Sequence, residues 1–296
     1  MRPHPEPLFL QVDAGPLGQR FALYHAPLSK VRGLVVHIHP FAEEMNKSRR
    51  MAALQSRALA AEGFAVLQID LLGCGDSAGD FGDATWAQWV ADVVLACRWL
   101  RQRHAGDDAP ALPLWLWGHR AGALLAVQAA QELAAPCHLL LWQPATAGKT
   151  VLQQFLRLKV AGDMMSGQAK TAMTQMRSAL AAGQAVEVAG YVLHPTLCHG
   201  LEQALLHPPA VPAGRVVWFE LSMQDDASMS PAATAQASRW TEAGWAWRAH
   251  RVKGPAFWQT TEIEDAPALL PATVAAVADA GSGGAALPAA AATAHC

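Results

Sequence analysis

Short runs of apolar residues alternate along the chain with longer stretches in which apolar positions recur every three to four residues. Residues 33–41 (GLVVHIHPF) and 64–72 (FAVLQIDLL) are continuous runs rich in Val, Ile and Leu, as expected of strands covered on both faces. Residues 113–119, 137–145 and 215–222 repeat the pattern, and 245–252 (WAWRAHRV) forms a last strand. Between them, residues 47–62 place Met51, Leu54, Ala58 and Leu59 at helical spacing, with Gly63 closing the helix. Residues 85–104 place Trp86, Trp89, Val93, Ala96 and Leu100 on one helical face. Further helices are expected at 231–243 and near 266–280. Two apolar runs within 7–26 flank Gly15, Pro16, Leu17 and Gly18, which is hairpin chemistry and predicts an antiparallel edge. Strands alternating with helices at this spacing predict an α/β fold with a mostly parallel, doubly wound sheet.

Residues 148–206 break the rhythm. Two stretches rich in Met and Leu read as helices, and the strand-like AVEVAGYVL follows, bounded by Gly183 and His194-Pro195. The expected organisation is a core of residues 1–147 and 207–280, a helical cap insertion at 148–206, and a disordered low-complexity tail at 281–296. The cap methionines fit ordinary packing, and they also suit an adaptable acyl pocket.

A length of 296 residues and a hydrophobic content of 52% supply ample core for one large domain. A net charge of −2 with interspersed signs gives no reason to expect nucleic acid or an anionic membrane surface as partner. A small molecule or another protein is expected instead. The five cysteines are odd in number and far apart, so neither a disulfide framework nor a zinc site is expected. The N-terminal residues lack a signal-peptide pattern, and no apolar run reaches the roughly 18 residues of a spanning helix. The expectation is a cytoplasmic protein without a transmembrane segment. HPTLCHG (194–200) matches no strong metal-ligand spacing, and a helix starting after Pro195 explains it, so no metal and no cofactor are expected.

The chemistry centres on Gly118-His119-Arg120-Ala121-Gly122, between an apolar strand and a small-residue helix. In the G-x-S-x-G elbow a serine occupies this turn, and glycines flank it because side chains there would clash. Here the glycines remain and Arg120 holds the centre. A guanidinium stays protonated and only donates, so it can neither attack a carbonyl nor act as a base. Through this elbow the chain resembles the α/β-hydrolases over residues 18–280. More narrowly, HPFAEEMNKSRRMA (39–52), DLLGCGDSAGDF (70–81), LWGHRAGALLA (116–126) and GPAFWQTTEI (254–263) resemble the exosortase A system-associated hydrolases of the hydrolase 2 type. The resemblance implies an α/β-hydrolase fold, a hydrolase label, a cytoplasmic location and a role beside exosortase, PEP-CTERM or exopolysaccharide machinery.

In open α/β sheets ligands bind beyond the C-terminal ends of the strands, which gathers loops 39–47, 70–77, 118–122 and 223–230. His39-Pro40-Phe41 stands where the superfamily has its oxyanion loop. The N–H of Phe41 or Ala42, with that of Ala121, is therefore a candidate oxyanion donor pair, while His39 either joins the site or only bonds neighbouring loops. His119 completes the ligand-facing candidates of the elbow. Asp70 to Ser77 reads as a self-bonded turn, and Cys74 as inert, since Asp76 beside it raises the thiol pKa. Asp225 and Asp226 occupy the place of a triad acid, though two adjacent loop acids can be simply solvated. VKGPAFW (252–258) has no histidine where the triad base belongs, and His250 lies within the strand.

A cation at a helix N-terminus faces the positive end of the macrodipole, unfavourable by about 0.3–1 kcal/mol, so Arg120 requires an acidic partner. Glu43 or Glu44 can supply it internally. Alternatively Arg120, the elbow N–H groups and Lys47 form a pocket for a carboxylate, phosphate or sugar acid. Three functions follow: binding of an acidic acyl or glycan ligand without serine-hydrolase turnover; ester or thioester hydrolysis by a water activated by Glu43, Glu44 or Asp225 with Arg120 holding the oxyanion; and a scaffold for exosortase or polysaccharide proteins.

Overall fold

Strands β1 (Glu6–Gln11) and β2 (Gln19–His25) form the expected antiparallel hairpin at one edge of an eight-stranded sheet. The computed structural model describes residues 4–12, 15, 17–106, 111–163, 169–212, 214–224 and 228–282. The chain continues through β3 (Gly33–Ile38), α1 (Glu43–Ala61), β4 (Phe64–Ile69), α2 (Trp86–Arg103), β5 (Leu114–His119), α3 (Gly122–Leu133) and β6 (His138–Trp142). Next come α4 (Gly148–Asp163), α5 (Ala169–Ala181), β7 (Val186–Val188), β8 (Tyr191–Leu193) and α6 (Pro195–Gln203). The main sheet resumes with β9 (Arg215–Ser222), α7 (Pro231–Glu242), β10 (Ala246–Lys253) and α8 (Leu269–Ser282). The sheet order is β1-β2-β4-β3-β5-β6-β9-β10; β2 runs antiparallel to β4, and every later pairing is parallel. This is the α/β-hydrolase fold, with its strand C-termini gathered at one edge.

Period-two alternation divides the strand residues between two cores. Trp115, Trp117, Leu140, Trp142, Val217 and Phe219 pack with α1 and α8, whereas Leu114, Leu116, Leu139, Leu141, Val216 and Trp218 pack with α2 and α3. The Trp115/Trp117 pair is therefore core, as the alternation suggested, and Trp245 is buried with Trp240 at the sheet's far edge. Arg20 and Asp92 form an ion pair at 2.8 Å within the interior. Asp92 also accepts the Leu72 N–H, joining the hairpin, α2 and the loop after β4.

Three elements differ from the sequence expectation. Helix α1 begins at Glu43, so the acids expected in a polar turn form its first helical turn, where the macrodipole favours them. AVEVAGYVL is a two-stranded hairpin, turned by Ala189 (φ 51°) and Gly190 (φ 83°). Helix α8 runs to Ser282, two residues into the predicted tail; residues 283–296 lie outside the described residues.

Residues 148–206 return to their starting point through a bridge between Ala147 and Leu205. Within them His194 is an N-cap whose side chain accepts from Thr196 N, with Pro195 opening α6, which accounts for HPTLCHG without a metal. Among the described residues no cluster of His, Cys, Asp or Glu could hold a metal ion, and no helix is long and apolar enough to cross a membrane. Gly200 lets α6 approach α2: a Cβ there would stand 2.3 Å from Trp86 Cβ. Met176 is buried as ordinary packing; Met164 and Met165 lie outside the described residues.

Candidate functional site

The elbow requires both of its glycines. A Cβ on Gly118 would lie 2.5 Å from Ala123 Cα, and one on Gly122 would lie 2.2 Å from the Ile38 carbonyl oxygen. Arg120 itself has φ 53°, a left-handed conformation unusual for a side chain-bearing residue. Its N–H donates to Trp142 O at 3.0 Å, and its carbonyl accepts from Ala145 N at 3.1 Å, which pins the turn to the strand beside it.

The Arg120 side chain is met by Glu44, the internal partner anticipated from the macrodipole. Nε donates to Glu44 Oε1 and Oε2 at 3.3 and 3.4 Å, and Nη2 to Oε1 at 3.3 Å and to Gln154 Oε1 at 3.5 Å. The guanidinium carbon sits 5.5 Å from the centroid of the Trp258 ring. Side-chain exposure is 13% for Arg120 and 16% for Glu44. These bonds are longer than the 2.7–2.9 Å of tight charge-assisted pairs, so the clamp is a loose one. Burial pushes the Glu44 carboxyl above its ordinary range, and the Arg120 charge opposes that shift without cancelling it.

The place of a triad histidine is filled by aromatic rings. After β10 the chain brings Phe257 and Trp258 against His119, at centroid distances of 5.3 and 5.5 Å. His250 stacks on Phe219 at 4.9 Å, within the sheet. Asp225 and Asp226 lie outside the described residues.

Of the two histidines, His119 departs from its expected role, and His39 takes the second of its two, bonding neighbouring loops. His119 is 1% exposed and packed among Trp142, Phe257 and Trp258, and burial drives its pKa well down; it is a neutral core residue rather than a ligand-facing one. His39 donates from Nδ1 to Pro40 O at 2.8 Å and accepts from Leu71 N at Nε2 at 3.4 Å, so both nitrogens are spent on neighbouring loops. The loop after β4 is self-bonded as expected. Ser77 Oγ donates to Asp70 O and accepts from Phe21 N, while Asp70 accepts from Asp76 N. Cys74 is buried, its thiol pushed far up by desolvation.

Above the clamp lies a cavity of about 420 Å³. Helix α1 contributes Glu43, Glu44 and Lys47, and α4 contributes Gln154 and the apolar stripe Val151, Phe155 and Leu158. Phe41, Trp258 and Gln259 complete the wall. Glu44, Gln154 and Trp258, the three groups that Arg120 touches, line the cavity, whereas Arg120 and Ala121 do not. Glu43 Oε2 is buried without a hydrogen-bond partner, and Lys47 makes no ion pair among the described residues. The N–H groups of Phe41, Ala42 and Ala121 likewise donate to nothing within the described residues, leaving the anticipated oxyanion donors unspent. Sequence reasoning missed Gln154, Trp258 and Gln259, the residues that close over Arg120 and Glu44.

Ala42 stands at φ 50°, ψ −127°, a region essentially reserved for glycine. Such strain costs about 1–3 kcal/mol and glycine returns about 0.5–1 kcal/mol to the unfolded chain, so Ala42→Gly should stabilise by about 1 kcal/mol. A higher urea midpoint at unchanged m is the expected result; a lower one contradicts it.

Residues 29–194, more than half of the chain, match the family described as serine aminopeptidase, S33. Human Protein ABHD12B (Homo sapiens) is 30% identical over 116 residues, which cover 39% of this chain and only 29% of that protein. Among solved structures, Est1E from Butyrivibrio proteoclasticus with bound ferulic acid superposes with a TM-score of 0.60 at 15% identity, covering 93% of this chain and 100% of its own. A thermostable carboxyl esterase from Bacillus coagulans, in complex with glycerol, gives 0.62 at 14% identity over 94% and 99% of the two chains. At such identities these likenesses speak to the fold alone. With the sheet order, the glycine-flanked elbow and the matched residues in agreement, the chain belongs to the serine aminopeptidase S33 family of the α/β-hydrolase superfamily.

Proposed function

We propose that this chain is a binding protein of the exosortase A-associated hydrolase 2 type, built on a hydrolase fold and holding an acyl or glycan ligand without acyl-enzyme turnover. The observation that carries the reading is the elbow itself: Arg120 takes the nucleophile's place and is clamped by Glu44, and Trp258 fills the base's place. The motifs at 39–52, 70–81, 116–126 and 254–263 support the narrower type, and with it a cytoplasmic setting and partners from exosortase or exopolysaccharide machinery. Residues 148–206 act as the cap. The stripe Val151, Phe155 and Leu158 receives the apolar part of the ligand, and Lys47, which lines the cavity as Arg120 does not, meets its carboxylate or sugar-acid group.

A fluorophosphonate serine probe should leave the purified protein unlabelled, and hydrolysis of ester, thioester and glycan-ester panels should not exceed that of an Arg120→Ala control. Rapid stoichiometric labelling, abolished by substituting one serine, overturns the reading. One observation favours a second reading, hydrolysis by an activated water: Glu43 Oε2 is a buried carboxylate oxygen with no donor, able to accept a proton, and the N–H groups of Phe41 and Ala121 are unspent. Glu44, held by Arg120, is the poorer base of the two, and Asp225 remains the third candidate from sequence. Turnover in the panel that is lost in Glu43→Gln would establish this alternative.

A further inference from the structure

A second cavity, of about 170 Å³, lies between α1 and strands β2, β3 and β4, and shares no lining residue with the first. We propose that it binds a short-chain carboxylate of two to four carbons. The inference is independent of the function proposed for the elbow pocket.

Most polar groups around this cavity are already paired. His39 is fully spent on Pro40 and Leu71, and Ser48 Oγ donates to Glu44 O at 2.7 Å. Asp70 Oδ2 accepts from Arg49 Nη2 and from Asp76 N, both at 3.1 Å, and Gln68 Oε1 is bonded to His25 Nε2 at 2.9 Å. The unspent groups at this cavity are mostly donors: Arg49 Nε and Nη1 and the Gln68 amide nitrogen, against one acceptor, Asp70 Oδ1. His37 is 5% exposed and packed on Trp117, its Nε2 is buried without a partner, and burial with the nearby His39 and Arg49 holds its pKa down at about 3, so it lines the wall as a neutral ring. Arg49, 43% exposed in its side chain, opens the site to solvent. A carboxylate supplies acceptors to these donors, one oxygen to the Arg49 guanidinium and the other to the Gln68 amide. The Asp70 carboxylate bounds the site on the edge of Arg49 it already occupies.

The remaining lining selects the rest of the ligand. Leu23, Met45, Ala52, Ala53 and Ile69 offer apolar contact to a short alkyl tail, which a phosphate would leave unmet. A volume of 170 Å³ corresponds to about five or six water volumes, enough for butyrate and too little for a long acyl chain.

Isothermal titration of the full chain with sodium acetate, butyrate, phosphate and chloride at matched ionic strength tests the site. Saturable binding of butyrate is expected, with a shift of the His37 ring resonances in NMR spectra. Arg49→Met and Gln68→Leu should each weaken it at least tenfold; the second variant leaves the Arg49–Asp70 pair in place, so a folding defect in the first does not decide the outcome. Absence of saturable binding overturns the proposal. So do equal affinity in a folded Gln68→Leu variant, and tighter binding of phosphate or chloride than of butyrate.

Discussion

Replacing Arg120 by serine recreates the G-x-S-x-G spelling and is expected to yield no esterase. The turn would present the hydroxyl correctly, since Gly118 and Gly122 already hold the elbow and residue 120 already has φ 53°. What is missing is the histidine that takes the proton in a triad. Trp258 and Phe257 occupy the histidine's place, and an indole N–H donates but cannot accept. In a measured serine protease, losing the triad histidine alone costs about a millionfold in turnover. Arg120→Ser should therefore hydrolyse p-nitrophenyl butyrate at the wild-type background and stay unlabelled by a fluorophosphonate. The substitution also strands Glu44, whose desolvated carboxylate would then face the new hydroxyl without its counter-charge. Stoichiometric labelling of the single variant, without a histidine at 258, would show that a carboxylate, the stranded Glu44 above all, can take the hydroxyl's proton in a histidine's stead.

The fold was legible because its signals are local. Continuous apolar runs, helical spacing and glycines at the elbow each constrain the chain within a few residues, and Gly118 and Gly122 are required by backbone atoms 2.2 to 2.7 Å from their missing Cβ positions. The His119 error was avoidable on the same grounds. Residues 115, 117 and 119 share one face of β5, so a strand that buries Trp115 and Trp117 against α1 and α8 also buries His119. The choice of Glu44 over Glu43 was not legible in this way. It depends on α1 starting at Glu43, whereas the visible periodicity begins further along the helix, and on an N-cap at Ala42 with no side-chain capping bond to announce it. Trp258 and Gln259 come from a loop, where no period links sequence position to direction, and Gln154 from α4, whose period fixes its face of the helix but not what that face meets. Their meeting over Arg120 is a product of tertiary packing between segments more than 100 residues apart.

The clamp makes a quantitative demand on stability. Breaking a buried ion pair by removing one partner costs about 3–5 kcal/mol, and for a pair exposed by 13% and 16% the lower end applies, so Glu44→Ala should destabilise by about 2–3 kcal/mol. Only Gln154 and the Trp258 ring would remain to hold the guanidinium. Arg120→Ala should cost a similar amount by leaving Glu44 buried with only Gln259 to meet its carboxyl. Because desolvation outweighs the attraction of Arg120 at the Glu44 carboxyl, the pair itself is a poor source of net stability. The double variant should accordingly lose less than the sum of the two, with a coupling of about 2 kcal/mol in urea denaturation. The sign of the pH dependence follows from the same balance. A carboxyl whose folded pKa is raised contributes its full stability below its unfolded pKa, and that contribution falls as pH rises through the folded value. The gap between the wild type and Glu44→Ala should thus be wider at about pH 4 than at about pH 8. Additive single costs would mean that Arg120 and Glu44 are held by solvent or by other groups, and that the elbow presents a free cation to its ligand after all.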